Sequence, residues 1–543
     1  MSKVAAYLQE HIQGRVSTNT AVLKAASIDG SILTFTPEMV IYPKITNDIR
    51  KVARFSWQLA EKGHILPLTA RGYGNDQTGA AIGAGAVIIL PTYMNSVFEF
   101  DPKQKLVRVQ PGVNAKALND ALLLQGVSIP SLSSSPANST VGGAVANGAR
   151  DVFSGQYGGI SEWTHQLEVI LSSGDVLQTG RISRHELSKK KGKQTFEGEI
   201  YRSIDTLIED NKQMIDEKLG GTTPDNAGYS SIAKVKRHDG SFDLTPLIVG
   251  SQGTLGIISE MIMKVEFMSS HKGVVLASFD SHEAARDSID HLKELRPSSL
   301  EYFDSTLFTI ASAQGKKYDF NKEPGDSSKW VVLAIFDDFN DRANTKKLKK
   351  ATKLLESTAS SITTETNEEA SELTAVRDVT SYLLTPSEKD LFAPALFDGI
   401  YMPGERFEDF SKSVATLATK HGVTLPLYRR ELEGIVFTRP LLHTNKVGDK
   451  QKLFKLLGEY SQLVVQCGGS LIAQDGEGRI KAHFSFDALD EDVIALFDAI
   501  KKVFDPYGLL NPGVKQPGEL RDVMSHLRTD FDTTSNATHL VSF

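Results

Sequence analysis

Cysteine is almost missing from this chain: Cys467 is the only one in 543 residues. An internal disulfide, a cysteine-ligated iron–sulfur cluster and a two-cysteine zinc site are thereby excluded. No hydrophobic run approaches the roughly 20 residues that span a bilayer, and the segment from Met1 to Arg15 lacks the apolar stretch of a secretory signal. Positive charge is not in excess either. Sixty Lys and Arg against 67 Asp and Glu leave a net −7, which argues against nucleic acid as the main partner. The run Lys189-Lys190-Lys191-Gly192-Lys193 is the local exception and reads as a solvated loop. Repeats and low-complexity tracts are absent too. The expectation is a cytoplasmic protein without a transmembrane segment, with peripheral attachment to a membrane left open.

What is present is glycine in two informative places. Leu68-Thr69-Ala70-Arg71-Gly72-Tyr73-Gly74-Asn75-Asp76-Gln77-Thr78-Gly79 follows an apolar run, and Ser139-Thr140-Val141-Gly142-Gly143-Ala144-Val145-Ala146-Asn147-Gly148 continues to Tyr157-Gly158-Gly159. Glycine permits positive φ and close backbone approach, and successive bare N–H groups form an anion-binding concavity. Two such loops in the first third of the chain point to a large phosphorylated cofactor.

The length implies two domains. In the first half, strands are expected at Met39–Tyr42, Ile65–Thr69, Ala86–Leu90 and Leu106–Gln110, with a hairpin from Leu167–Leu171 to Val176–Gln178. A helix with Thr46 as N-cap carries Ile49, Val52, Ala53 and Ala60 on its apolar side, and a second spans Ala115–Gln125. Leu247 to Ile258 forms another glycine turn between apolar runs. Beyond Met268, strands at Gly273–Phe279 and Trp330–Phe336 alternate with helices at Ser281–Leu295 and Asn344–Leu355, the pattern of an antiparallel sheet backed by helices. Gly325–Ser328 and Ser357–Ser371 read as loops, Lys450–Val465 and Glu491–Phe504 as helices, Ser470–Ala473 as a strand, and the chain after Met524 as a loose tail.

The ordered motifs Ala70-Arg71-Gly72-x-Gly74, Pro111-Gly112, Ser139-Thr140-x-Gly142-Gly143, Tyr157-Gly158, Gly250-Ser251-x-Gly253-Thr254-Leu255-Gly256 and Asn511-Pro512-Gly513 resemble the vanillyl-alcohol oxidase/p-cresol methylhydroxylase flavoprotein superfamily. Within it the likeness is greatest to FAD-dependent D-lactate, glycolate and D-2-hydroxyglutarate dehydrogenases, and it runs from about Pro37 to Gly513. The resemblance implies an α+β fold: a PCMH-type FAD-binding domain of two subdomains over 1–268, a ferredoxin-like substrate or cap domain over 269–510, and a segment over 511–543 that returns to the flavin domain. It implies FAD contacts from Arg71, Gly72, Tyr73, Gly74, Asn75, Asp76, Gln77, Pro136, Ser139, Thr140, Gly142, Gly143, Asn147, Tyr157, Gly253, Gly256, Ile257, Ile258 and Asn511. Relatives that attach flavin covalently carry a histidine in the first loop; Asn75 stands there, so FAD is expected to be non-covalent.

The substrate half departs from the pattern. The resemblance implies a metal site from a His-x₆-His strand motif and a Glu-His-Gly motif. Anchored on Arg439-Pro440-Leu441-Leu442, the histidine positions fall on Arg430 and Phe437, and the Glu-His pair on Gln474-Asp475. Guanidinium and phenyl offer no lone pair to a metal, so no metal is expected. Asp475 or Tyr428 is left as the base, and Arg377, at the position of a family carboxylate clamp, or Arg430 is left to hold an acidic substrate. Tyr428, Arg429 and Arg430 also read as a solvated strand edge, and His443 and His483 as structural. The implied function is oxidation of a hydroxy acid or related alcohol by hydride transfer to FAD without a metal. A sugar, aldonolactone or larger-alcohol oxidase, with Phe397, Gly399 and Phe437 lining a roomier cavity, is the alternative, as is a flavin-binding protein without turnover. A small-molecule substrate and an electron acceptor of unspecified kind are the implied partners.

Overall fold

The computed structural model describes residues 3–269, 271–319, 329–366, 370–384, 391–443 and 447–528. The loop expected at Gly325–Ser328 and the tail beyond residue 528 lie outside the described residues. The fold is α+β, built on three main sheets.

The first sheet has four strands in the order Arg15–Ser17, Met39–Tyr42, Ala86–Ile89, Leu68–Arg71, the last three mutually parallel. Its strands are apolar on both faces, as parallel strands under helices are. Helix Thr46–Ala60 covers it with Ile49, Val52 and Ala53. That helix is capped by Ile45, whose side chain makes no cap bond, and Thr46 Oγ1 instead donates to Glu168 Oε1 (3.1 Å) in the second sheet. The strand expected at Ile65–Thr69 begins only at Leu68, because Pro67 has no N–H for a ladder. Its last residue, Arg71, delivers the chain into the first glycine loop.

The second sheet is antiparallel, in the order Val97–Asp101, Leu106–Val109, Ile257–Lys264, Thr164–Ile170, Val176–Gln178. Helices Phe196–Asp210 and Glu491–Phe504 share its core. The second of these buries Val493, Leu496, Phe497, Ile500 and Phe504 there, each contributing about 1.5–3 kcal/mol. From Phe486 to Phe504 the chain packs into the core of the second sheet, and Leu510 packs into that of the first.

The third sheet has seven antiparallel strands in the order Ser361–Thr366, His271–Phe279, Trp330–Asp338, Ser299–Phe303, Tyr428–Arg430, Ile435–Phe437, Ile400–Tyr401. One face packs on helices His282–Glu294, Asp341–Leu355 and Phe407–His421; the other carries Tyr428, Ile435 and Phe437. Three expectations are corrected here. Ser357–Ser371 holds the edge strand Ser361–Thr366, whose β-branched Ile362, Thr363 and Thr364 suit a half-exposed strand. Ser470–Ala473 is not a strand and makes a single bridge, Ser470 to Tyr401. Tyr428, Arg429 and Arg430 are fully buried, not a solvated edge.

The lysine run is no loop. Lys189, Lys190 and Lys191 end helix Arg184–Lys191, and Lys190, Lys191 and Lys193 are ion-paired to Glu197 and Asp205 of the next helix.

Candidate cofactor and substrate site

The two glycine loops and the 250–256 turn meet over a cleft of about 1340 Å³, counting the solvent at its mouth. Arg71 lies beneath the first loop, not across it: Nη1 donates to the carbonyls of Ile28 (2.8 Å) and Ala81 (3.2 Å). Gly74, at φ +76°, rides on that guanidinium, and a Cβ there would stand 2.0 Å from Arg71 Nη2. Gly72 leaves no more room: its Cβ would meet Thr140 Oγ1 at 2.5 Å. The first loop is therefore pressed against the second, and only glycine permits it.

Asp76 ties the bend. Its Oδ1 accepts from Thr78 N, Thr78 Oγ1 and Ala80 N, each at 2.9 Å, and its Oδ2 accepts from Asn147 Nδ2 at 3.0 Å. Thr140 caps the helix Val141–Asn147 by accepting from Gly143 N (3.0 Å). Gln252, at φ +52°, donates to Thr78 Oγ1 (3.1 Å) and accepts from Gly478 N (2.9 Å). Asn511 fastens the same knot from behind, donating to the carbonyls of Ala80 and Gln252 at 2.8 Å.

This leaves backbone donors facing the cleft. Among the described residues, no protein acceptor takes the N–H groups of Tyr73, Gly74 and Asn75. Unpaired N–H groups on a cleft wall where any Cβ would collide are a fit for a diphosphate.

Of the residues expected to contact the cofactor, Arg71 to Gln77, Ser139, Thr140, Gly142, Gly143, Asn147, Gly253, Gly256 and Ile258 line the cleft. Four do not. Pro136 starts the 3₁₀ turn that presents Ser139, and Ile257 is buried in the core of the first sheet. Asn511 acts from behind, and the Tyr157 hydroxyl donates to Asp337 Oδ2 (2.5 Å) in the seven-stranded sheet.

The opposite wall belongs to the third sheet and the 474–481 turn: Asp398, Gly399, Phe437, Arg439, Gln474 and Asp475. Asp475 has φ +58°, rare for a residue with a side chain, and its carbonyl accepts from Asn226 Nδ2 (2.6 Å). Its carboxyl is pushed up to about 6, first by burial and then by the charge of Asp76, against the pull of Lys481 and Arg430. Gln474 Oε1 accepts from Arg430 Nη1 (2.6 Å), and the Arg430 guanidinium stacks 4.7 Å over Phe437. Its buried Nε and Nη2 have no hydrogen-bond acceptor. The four positions at which the resemblance implied metal ligands (Arg430, Phe437, Gln474 and Asp475) thus do come together, around a guanidinium. Among the described residues no three His, Cys, Asp or Glu side chains gather as a metal site.

Two expected catalytic residues are corrected. Arg377 Nε meets both oxygens of the fully buried Glu301, at 2.9 and 3.0 Å, so its fork is already occupied. Tyr428 donates to Glu301 Oε2 (2.6 Å), and burial, followed by that negative charge, holds its phenol well above the ordinary range. It cannot serve as a base near neutral pH. Phe397 packs 4.5 Å from Tyr460, away from the cleft, and so does not enlarge it. His483 is half-buried, with Nδ1 3.1 Å from the Gly518 carbonyl.

Sequence reasoning missed Asp398 and Arg439 as cleft residues. Arg439 donates to Asp398 Oδ2 and to Gln77 Oε1, at 2.8 and 2.9 Å, bridging the sheet to the first loop. Their signal was the Arg439-Pro440 anchor itself, which served only for alignment.

Residues 37–180 match the family described as "FAD binding domain", and residues 268–514 match "FAD linked oxidases, C-terminal domain". The chain carries both domains of the FAD-linked oxidases. The chain is 26% identical to the D-2-hydroxyglutarate dehydrogenase of Escherichia coli K12 over 94% of its own length and 51% of that protein's, so it spans about half of that relative. It is 23% identical to the glycolate oxidase subunit GlcD of Bacillus subtilis, with 88% of each covered. Among solved structures it resembles 4-ethylphenol oxidase from Gulosibacter chungangensis, with a TM-score of 0.68 at 16% identity over 96% of this chain and 98% of that one. The PCMH-type fold follows from that likeness, and FAD is the cofactor for which the domains are built. No helix among the described residues is long and apolar enough to cross a membrane.

Proposed function

We propose that this protein oxidises a small 2-hydroxy acid without metal help, with Asp475 taking the hydroxyl proton and Arg430 and Gln474 holding the carboxylate. The FAD held by the glycine loops supplies the hydride acceptor. The observation that carries the reading is a carboxyl on the cleft wall, pushed up to about 6, beside a buried guanidinium with unpaired N–H groups that lies just behind that wall against Gln474 and Phe437. A carboxylate with an ordinary pKa near 3.9 accepts protons poorly at neutrality, and a value near 6 removes most of that handicap while leaving the group ionised at pH 7. Arg430 offers a planar fork already oriented by Gln474 and Phe437. The named relatives, a D-2-hydroxyglutarate dehydrogenase and a glycolate oxidase subunit, act on acids of this class.

Asn75 sits in the first loop with Nδ2 3.4 Å from Ser139 Oγ, and an amide forms no bond to flavin, so the cofactor is held non-covalently. The compartment proposed is the cytoplasm, in keeping with a single cysteine that is buried and free. The test is the Asp475→Asn variant. It should retain yellow FAD that is released by acid, while turnover on 2-hydroxy acids falls by about 10²–10⁴. Undiminished turnover would remove Asp475 from the mechanism.

A further inference from the structure

Helix Asp341–Leu355 turns Asn344, Leu348, Ala351 and Leu355 inward against the seven-stranded sheet. At about 100° per residue, Arg342, Lys346, Lys349, Lys350 and Lys353 then fall within an outward arc of roughly a quarter turn. All five are exposed, and among the described residues none has an acidic partner. Lys347, at the flank, does have one in Asp338 (3.5 Å).

Charge elsewhere on the molecule is arranged differently. The other dense lysine group, Lys190, Lys191 and Lys193, is neutralised by Glu197 and Asp205. Like charges three and four apart on a helix repel, so an unneutralised stripe weakens the helix that bears it. It stands, moreover, on a chain with a net charge of −7. Its two ends are apolar: Phe339, just before the N-cap Asn340, is 67% exposed, and Leu354 is 40% exposed. Cations in a row between an exposed ring and an exposed Leu match a surface of anionic headgroups over acyl chain, since a ring settles at headgroup level and Lys stems reach outward.

We propose that this helix face is a docking surface for an anionic lipid membrane. Leu348 belongs to the helix-covered face of the sheet, whereas Phe437 of the cleft belongs to the other face, so a membrane on the helix does not cover the cofactor cleft.

The test is sedimentation of the FAD-loaded full chain with vesicles of equimolar phosphatidylserine and phosphatidylcholine, and with pure phosphatidylcholine. Binding to the first only, weakening steeply as salt rises, is expected. The double variant Lys349→Glu, Lys350→Glu should weaken it by more than about tenfold with flavin content and turnover unchanged. Lys190→Glu with Lys193→Glu should leave it intact, and Phe339→Ala should lower it further at high salt. Three results would overturn the proposal: no binding to anionic vesicles at low salt, binding that survives reversal of Lys349 and Lys350, or capture by polyglutamate without capture by vesicles, which would point to an acidic protein.

Discussion

The two walls of the cleft are made by opposite means. The cofactor wall is backbone: glycines that admit no Cβ, N–H groups without protein acceptors, and side chains such as Arg71, Asp76 and Asn511 that work from behind. The substrate wall is side chain: Gln474, Asp475 and Arg439, with Arg430 buried behind Gln474, brought together from strands and turns far apart in sequence. Conformational permission dictates the first wall and charge placement the second. A substitution in one should therefore fail differently from a substitution in the other.

The largest expected effect is on the cofactor wall. Gly74→Ala puts a Cβ in a left-handed backbone 2.0 Å from Arg71 Nη2, and should leave a purified protein with little or no flavin absorbance. A yellow variant would show that the loop can relax without loss of the cofactor. Next comes Arg430→Met, which removes the proposed carboxylate fork. It should raise KM by roughly 10- to 100-fold with bound flavin unchanged, as expected for loss of a charge-assisted hydrogen bond. Arg377→Met sharpens the contrast, because it leaves Glu301, whose side chain is fully buried, without its cation. Its damage should be to stability, about 3 kcal/mol by denaturant unfolding, with KM nearly preserved.

The pH dependence follows from Asp475, whose carboxyl is pushed up to about 6. A base must be ionised to act, so kcat/KM should rise with pH through about 6, and the Asp475→Asn variant should lose that inflection in its residual rate. The sign for stability is the reverse. Because the folded-state value lies above the unfolded one, the protonated form favours folding, and that contribution is lost as pH rises from about 4 through 6. The smallest predicted effect is thus an Asp475→Asn protein that melts roughly a degree or two higher than the parent at pH 8 and no higher at pH 4.

The cofactor wall was legible in the sequence because glycine at Gly72, Gly74, Gly142 and Gly253 is a local signal that needs no knowledge of the partner strand. The strands at Met39–Tyr42 and Ala86–Ile89 and the helix Glu491–Phe504 were legible for the same reason, since their apolar periodicity is local. The substrate wall was only half legible. Arg430, Gln474 and Asp475 were identified as altered positions, but nothing local says that Glu301, on the central strand Ser299–Phe303, would take the fork of Arg377 and the hydroxyl of Tyr428. That strand escaped notice because its polar Ser299 and Glu301 interrupt the apolar pattern, and both are buried by pairing with Ile335 and Arg430. Asn511 was expected from its motif to contact FAD, yet whether such a residue touches the ligand or holds the loop that does is a matter of tertiary packing.

The central claim is that FAD and a 2-hydroxy acid meet between these two walls, with Asp475 as base. It is tested most directly by adding a panel of 2-hydroxy acids anaerobically to the purified yellow protein and following its absorbance near the flavin maximum. At least one acid should bleach the parent, and the same acid should bleach Asp475→Asn slower by about two orders of magnitude or more. A parent protein that stays yellow with every 2-hydroxy acid, or a variant that bleaches as fast as the parent, would contradict it.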